Sequence, residues 1–290
     1  MRRFEGALAV CEHTVVDDRS KAPFEMPDDL EPAEPIVPLD SSTVIVVRDD
    51  HGPLEVFMLE RHIQSDFAGG AYVFPGGKLD PADADPALAG IVDGWEELAA
   101  RMEENAELVR ALAVCAIRET FEEAGVLLAR HDDGTPVRLD DPQWEDLRVK
   151  LASRELTAAD LAKETGIRYA ADLLRFWQRW VTPIFAPKRY DTRFFVAVMP
   201  EGQTPLHDDV ETTASTWVRP ADAIARGRSG ELVIIFPTRM TLESLGGLET
   251  TASVFDASAA RSTQPVLPRF AVEDGEGRVY LPGDPNPHEP

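Results

Sequence analysis

Short continuous runs of apolar residues alternate along this chain with stretches in which apolar positions recur every three or four. "STVIVVRDDHGPLEVFMLERH" (42–62) holds two β-rich segments around a turn at "DDHGP", and "TRFFVAVMP" (192–200) has the unbroken apolar character of a buried strand. "GGAYVFPGGKLD" (69–80) predicts a shorter strand closed by Pro75, Gly76 and Gly77. "DPALAGIVDGWEELAARMEENAELVRALAVCAIRETFEEAGVLLAR" (85–130) predicts helix, broken near Gly94 and again near Asn105.

Further on, "LDDPQWEDLRVKLASRELTAADLAKETG" (139–166) predicts two helices with Asp and Thr caps. "AADLLRFWQRWVTPIF" (170–185) turns from helix to strand near Pro183. "STWVRPADAIARG" (215–227) predicts a strand and then a helix after Pro220, and "ELVIIFPTRMTLESLGGLETTASVFDA" (231–257) an apolar strand followed by helix. Residues 4–16 suit a strand, leading into a Pro-rich linker that ends near residue 34, and residues 262–290 are expected to form a flexible acidic tail. The mixed order of strands and helices predicts an α+β fold, with helices around a mixed sheet, and not a regular βαβ series.

Composition narrows the function classes. The chain has 290 residues, 43% hydrophobic, with a net charge of −23. That charge excludes a general nucleic-acid binder, whose affinity rests on clustered Lys and Arg. The start, "MRRFEGALAVCEHTVVDD", is broken by Glu5 and Glu12 and fails as a signal peptide. No run approaches the ~18 apolar residues of a membrane span. The expectation is a cytoplasmic protein without nucleic-acid or membrane partners. Two cysteines, Cys11 and Cys115, imply neither a disulfide framework nor a metal spacing.

One turn of the long helix concentrates like charge. In "RETFEEAGV" (118–126), Glu122 and Glu123 fall about −60° and +40° around the helix from Glu119, so all three glutamates share a face. Such pairs cost a helix roughly 0.2–0.5 kcal/mol each. Ala113, Ala116, Ile117, Phe121 and Ala124 lie opposite and dock the helix, Arg118 is spaced i, i+4 to pair with Glu122, and Gly125 ends the helix. The acidic face is either a solvated stripe or a site for a hard divalent cation that turns repulsion into shared ligation.

The residues upstream decide between these. "GGKLDPAD" and "RETFEEAGV" together resemble the box of the Nudix hydrolase family, G-x5-E-x7-R-E-U-x-E-E-x-G-U, where U is aliphatic. The matches are Gly77, Arg118, Glu119, Glu122, Glu123, Gly125 and Val126, with Asp83 in place of the first Glu and Thr120 at one U position. Gly77 and Arg118 stand 41 positions apart, 27 more than the box allows, so the two halves are interrupted by an insertion after Asp83. The pattern is similar to an interrupted-box subfamily that includes a peroxisomal coenzyme A diphosphatase, as is the later "WVTP…RYDTRFF" stretch.

This resemblance implies a Nudix α/β/α sandwich over 35–261, carrying helical insertions at about 84–108 and 131–178. It implies metal-dependent hydrolysis of a nucleoside diphosphate linked to another moiety. Coenzyme A or an acyl derivative is the first substrate, ADP-ribose or NADH the second, and oxidised nucleoside triphosphates a weaker third. A non-catalytic ligand-sensing module is the reading from another class. The implied cation is Mg²⁺ or Mn²⁺, with Glu119, Glu122, Glu123 and the Gly77 carbonyl (or that of Gly76) as ligands. Glu119, Glu122 and Arg118 form the implied catalytic set, and a homodimer is an expected assembly. The general base is Glu119 or an acid outside the box, from Asp208, Asp209 and Glu211, with Glu211 the expected choice. Arg61, Arg189 and Gly76 are the expected substrate contacts. Arg189 equally suits a salt bridge to Asp191, and Arg61 a strand surface. Trp177, Trp180 and Tyr190 suit core packing better than adenine stacking, Cys115 packing better than nucleophilic chemistry, and Asp83 a loop cap. A coenzyme A motif before the glycines keeps Arg61, Gly70 and Phe74 but has Asp66 where a second basic residue belongs.

Overall fold

The structure is a computed structural model that describes residues 36–62, 69–184, 186–208, 211–273 and 276–284. The expected N-terminal strand and linker, Cys11, Asp66 and Asp209 lie outside the described residues. Along the chain come β1 (Leu39–Arg48), β2 (Glu55–Arg61), β3 (Ala71–Val73), β4 (Gly76–Lys78), β5 (Val92–Asp93), α1 (Trp95–Met102), α2 (Ala106–Ala124) and β6 (Ala129–His131). Then follow α3 (Gln143–Ala152), α4 (Ala158–Thr165), β7 (Ile167–Ala170), β8 (Arg175–Val181), β9 (Tyr190–Val198), β10 (Thr212–Val218) and α5 (Pro220–Arg228). The last elements are β11 (Val233–Ile234), α6 (Phe236–Ser244), α7 (Thr251–Ala259), β12 (Pro265–Val266), β13 (Arg269–Glu273) and β14 (Glu276–Tyr280). Among the described residues no helix is long and apolar enough to cross a membrane.

A mixed sheet is the backbone of the molecule, in the order β11-β3-β2-β1-β9-β8-β12, with β10 also paired to β2 and β4 to β1. β1 runs parallel to β9 and antiparallel to β2 and β4. The four residues Val44–Val47 are fully buried because both faces of β1 are covered. Val44 and Val46 pack with Ile117, Phe121 and other residues of α2, whereas Ile45 and Val47 pack with Ala223 of α5, Leu242 of α6 and Val254 of α7. Alternate side chains of one strand thus feed two cores, which explains its continuous apolar run. The result is the expected helix–sheet–helix sandwich.

α2 is buried over most of its circumference. Asn105 begins it by accepting the Leu108 N–H, and Gly125 ends it at φ +62° with its N–H on Phe121 O. α3 packs against α2, where Trp144 meets Phe121 edge to face at 6.3 Å between ring centres, and α4 packs against α3. α4 carries the expected Thr cap, a reciprocal pair of Thr157 and Asp160.

Several predicted elements differ. The stretch before α1 is not continuous helix: Asp80-Pro81 and Asp85-Pro86 each cap a short 3₁₀ turn, and β5 follows. β5, β7 and β6 build a small second sheet, so the second insertion is not all helical. β8 is strand from Arg175, although its sequence predicts helix there. Its register against β9 shifts between Phe176 and Gln178, and such a bulge breaks the two-residue period by which a strand is recognised. Part of the predicted flexible tail is structured. Pro265–Val266 adds to the sheet beside Arg179–Trp180, and β13 and β14 form a hairpin. An open β8 edge offers unpaired main-chain groups, which β12 takes.

Candidate active site

The glycine pair and the acidic turn meet through β4. Instead of only closing a strand, Gly76 and Gly77 pair with Thr43 and Ser42 of β1, against which α2 packs: Ser42 Oγ donates to Leu112 O at 2.8 Å. Gly77 faces Glu119 so closely that a Cβ there would stand 2.5 Å from its carboxyl carbon. A Cβ on Gly76 would come within 2.7 Å of Thr43 Cα. Neither position accepts a larger residue without displacing a neighbour. The Gly76 N–H donates to Glu123 Oε2 at 2.9 Å.

Arg118 closes the interrupted box. Its Nε and Nη2 form a fork onto the two oxygens of Asp83, at 2.8 and 2.9 Å. Asp83 is 1% exposed and also accepts the Asp80 N–H at 2.9 Å. It is therefore a loop cap, as expected, and also the group that ties the glycine loop to α2 across the inserted segment. Nη1 of Arg118 donates to Glu119 Oε1 at 2.7 Å and, more loosely, to both Glu122 oxygens at 3.3 Å. Its Nη2 also reaches Lys78 O at 3.3 Å.

The electrostatics show a shortage of positive charge. Burial raises the Glu119 pKa, with Arg118 opposing and Asp83 and Glu211 adding to the rise. Burial pushes Glu122 up to about 7 against the pull of Arg118. Glu123, 6% exposed, is driven well above the usual carboxylate range by burial and by the neighbouring Glu119. Burial works against the Arg118 charge, but its bonds to Asp83 and the charge of Glu119 hold it in the ionised form. Carboxylates that hold protons this readily are short of a cation.

The donor set suits a hard divalent ion: several carboxylates, all oxygen, beside backbone carbonyls. It is not a ready-made cage. Among the described residues no three acidic, His or Cys side chains stand together in ligating positions. Glu119 and Glu122 lean on Arg118, and Glu123 on Gly76.

Other expected contacts separate into near and far. Arg61, at the end of β2, has a buried Nε without a hydrogen-bond partner among the described residues, and its charge acts on Glu123. Glu211 is exposed, its carbonyl accepts the His62 N–H at 2.8 Å, and its charge reaches both Glu119 and Glu123. Asp208 bonds the N–H groups of Glu211 and Thr212 at 3.1 and 2.9 Å, as a turn acid does.

Arg189 is not brought to the site. The register puts it beyond the start of β1, and its guanidinium holds the carbonyls of Thr182 and Ile36 at 3.0 and 2.6 Å. Nor does it pair with Asp191. Asp191 instead joins a network with Arg179 at 2.6 Å and Arg193 at 3.3 Å, both of which also bind Glu104 at 2.8 Å. The "RYDTRFF" stretch thus braces the sheet beneath the start of α2. Trp177 and Trp180 are core residues, as expected: the indole of Trp177 bonds Ser244 and Trp180 meets Phe236 edge to face. The Cys115 thiol is buried, with its pKa pushed up by that burial.

Two arginines of the second insertion have no counterpart in the sequence reading. Arg148 of α3 donates to the carbonyls of Glu122, Glu123 and Leu206 at 2.9, 3.4 and 3.1 Å, and so caps the C-terminal end of α2. Arg154, in the turn before α4, reaches Asp80. A cavity of about 500 Å³, lined by Trp144, Leu147, Arg138 and Glu164 among others, includes none of the box residues.

Comparison with known proteins shows the family. A family model described as the NUDT19 Nudix domain matches residues 100–245. Acyl-coenzyme A diphosphatase NUDT19 of Xenopus laevis is 25% identical over 225 residues, which is 66% of this chain and 59% of that protein. The human protein of the same name is 26% identical over 274 residues, 79% of this chain and 71% of its own. This chain therefore spans under two thirds of the Xenopus relative. The crystal structure of a Nudix hydrolase from Alicyclobacillus acidocaldarius is 31% identical, covers 79% of this chain and 99% of its own, and superposes with a TM-score of 0.64.

Proposed function

We propose that this chain, which belongs to the Nudix hydrolase family, splits the diphosphate bond of a nucleoside diphosphate linked to another moiety, with coenzyme A or an acyl-coenzyme A as its first substrate. One observation carries the reaction: the Arg118–Asp83 fork joins the two halves of the interrupted box, so that the glycine pair and Glu119 and Glu123 touch. The substrate choice rests on the similarity to acyl-coenzyme A diphosphatases.

Members of this family generally use divalent metal ions. In the proposed site Glu119, Glu122, Glu123 and the Gly77 carbonyl would hold such an ion. Bound there, a divalent cation neutralises phosphate oxygens and lowers the pKa of water. The chain's own groups do the rest. Arg61, with an unused buried N–H beside Glu123, takes a substrate phosphate oxygen. The Gly76 main chain lies against the same phosphate. Arg118 positions Glu119 and Glu122 by holding them from one guanidinium. Glu119 or Glu211 accepts the proton of the attacking water. Mg²⁺ or Mn²⁺ as the ion, the cytoplasm as the location and a homodimer as the assembly belong to the same proposal and rest on the sequence alone.

A substrate panel tests it. Purified protein with Mg²⁺ or Mn²⁺ is given coenzyme A, an acyl-coenzyme A, ADP-ribose and NADH, and products are separated by chromatography. The reading predicts cleavage of the coenzyme A compounds at the diphosphate with the highest kcat/KM. Preference for ADP-ribose or NADH would move the substrate and keep the reaction. Binding without turnover of any of them would make the chain a sensing module instead.

A further inference from the structure

Arg154 occupies a turn between α3 and α4 with a left-handed backbone, φ +66°. That conformation is disfavoured for any residue with a Cβ, and Gly or Asn normally fills it. The turn would be more relaxed without Arg, so the side chain is the reason to look for a role. Its Nη1 crosses to Asp80 Oδ2 at 2.5 Å, and the side chain is still 49% exposed. Among the described residues this is the one contact its guanidinium makes. Asp80 belongs to the loop that leaves the glycine pair, and its other oxygen accepts the Ala82 N–H at the start of the turn carrying Asp83. The charge of Arg154 also reaches Glu122, where it opposes the effect of burial. An exposed ion pair of this kind contributes little to stability. Stability therefore does not account for an arginine in a strained turn beside the carboxylates.

We propose that Arg154 is a substrate-positioning residue of the insertion: it leaves Asp80 and takes a substrate phosphate that lies outside the three glutamates. This rests on the diphosphatase reading. A guanidinium fork matches phosphate geometry, and Asp80, a single carboxylate at the rim, holds it near the site until phosphate competes for it. A chain with net charge −23 repels a polyphosphate as a whole, so local cations must supply the attraction. The insertion that follows the box in sequence would then complete the site in space.

The test compares wild type, Arg154→Ala, Arg154→Lys and Asp80→Asn. Steady-state kinetics are run on coenzyme A and 3′-dephospho-coenzyme A, and equilibrium binding on ADP and adenosine 3′,5′-bisphosphate. Arg154→Ala is expected to raise KM about tenfold or more while kcat changes by less than about threefold, and Arg154→Lys to recover part of it. Asp80→Asn keeps the cap, frees the arginine, and leaves KM unchanged or lower. A loss confined to coenzyme A assigns Arg154 to the ribose phosphate, and an equal loss on both substrates assigns it to the diphosphate. Wild-type KM in Arg154→Ala overturns the proposal. So does an Asp80→Asn variant as impaired as Arg154→Ala, because the ion pair would then be a structural tie. If wild type turns over neither substrate, the coenzyme A reading fails on its own account and binding decides. A tenfold weaker complex of Arg154→Ala with either nucleotide supports the role, and unchanged or absent wild-type binding ends it.

Discussion

Glu122 holds a proton up to about pH 7 because it is largely buried and receives only part of the charge of Arg118. Its pKa in the folded chain is higher than in the unfolded one, where it is near the ordinary glutamate value of 4.5. The folded form therefore binds the extra proton between these values. The stability this contributes is complete below about pH 4.5 and is lost as pH rises through 7. In a cation-free buffer, Glu122→Gln is expected to be more stable than wild type at pH 8 by about 1–3 kcal/mol and equal to it near pH 4.5. Urea unfolding in EDTA at the two pH values measures this, and a Gln variant that is less stable at pH 8 would show that the carboxylate is not short of positive charge. At this scale the sequence was informative wherever spacing sets direction. The shared face of Glu119, Glu122 and Glu123 follows from helix geometry alone. The role of Asp83 does not. A carboxylate after Leu79 and Asp80 reads as a turn residue until its partner 35 positions later is known.

α2 binds the site together because both its ends and its flanks are fixed by other elements. Ser42 of β1 holds Leu112 O, and Arg148 of α3 holds the last turn. Truncating Arg148 removes its hydrogen bonds to three carbonyls, two of them in the last turn of α2, where its positive charge also suits the helix C-terminus. Arg148→Ala is expected to cost about 2–4 kcal/mol in chemical denaturation. A loss below about 0.5 kcal/mol would mean that water caps the helix equally well. Nothing local in the sequence marks Arg148, since an Arg on a helical segment is ordinarily a solvated one. β8 was hidden for a different reason: its bulge at Trp177 gives consecutive buried aromatics a period closer to a helix than to a strand. Arg189 misled because it lies beside aromatic residues and an Asp, whereas the fold uses its guanidinium to hold the carbonyls of Thr182 and Ile36, just before the start of β1.

Across the whole molecule, the sheet does the positioning and the insertions do the enclosing. β1 pairs with the glycines on one edge and with β9 on the other, so α2 packs over a surface already fixed by its neighbours. The layers were legible because continuous apolar runs require cover on both sides. The position of the insertions relative to the box was not, because it depends on Arg118, Asp83, Arg148 and Arg154 meeting across long stretches of chain. The central claim is that the acidic face of α2 and the glycine pair are the reaction centre. Diphosphate hydrolysis by wild type and Glu123→Gln during a Mg²⁺ titration tests it most directly, with circular dichroism to verify that both are folded. We predict saturable Mg²⁺-dependent turnover in wild type and a loss of at least about a hundredfold in the variant. Turnover at the wild-type level in folded Glu123→Gln would contradict the account.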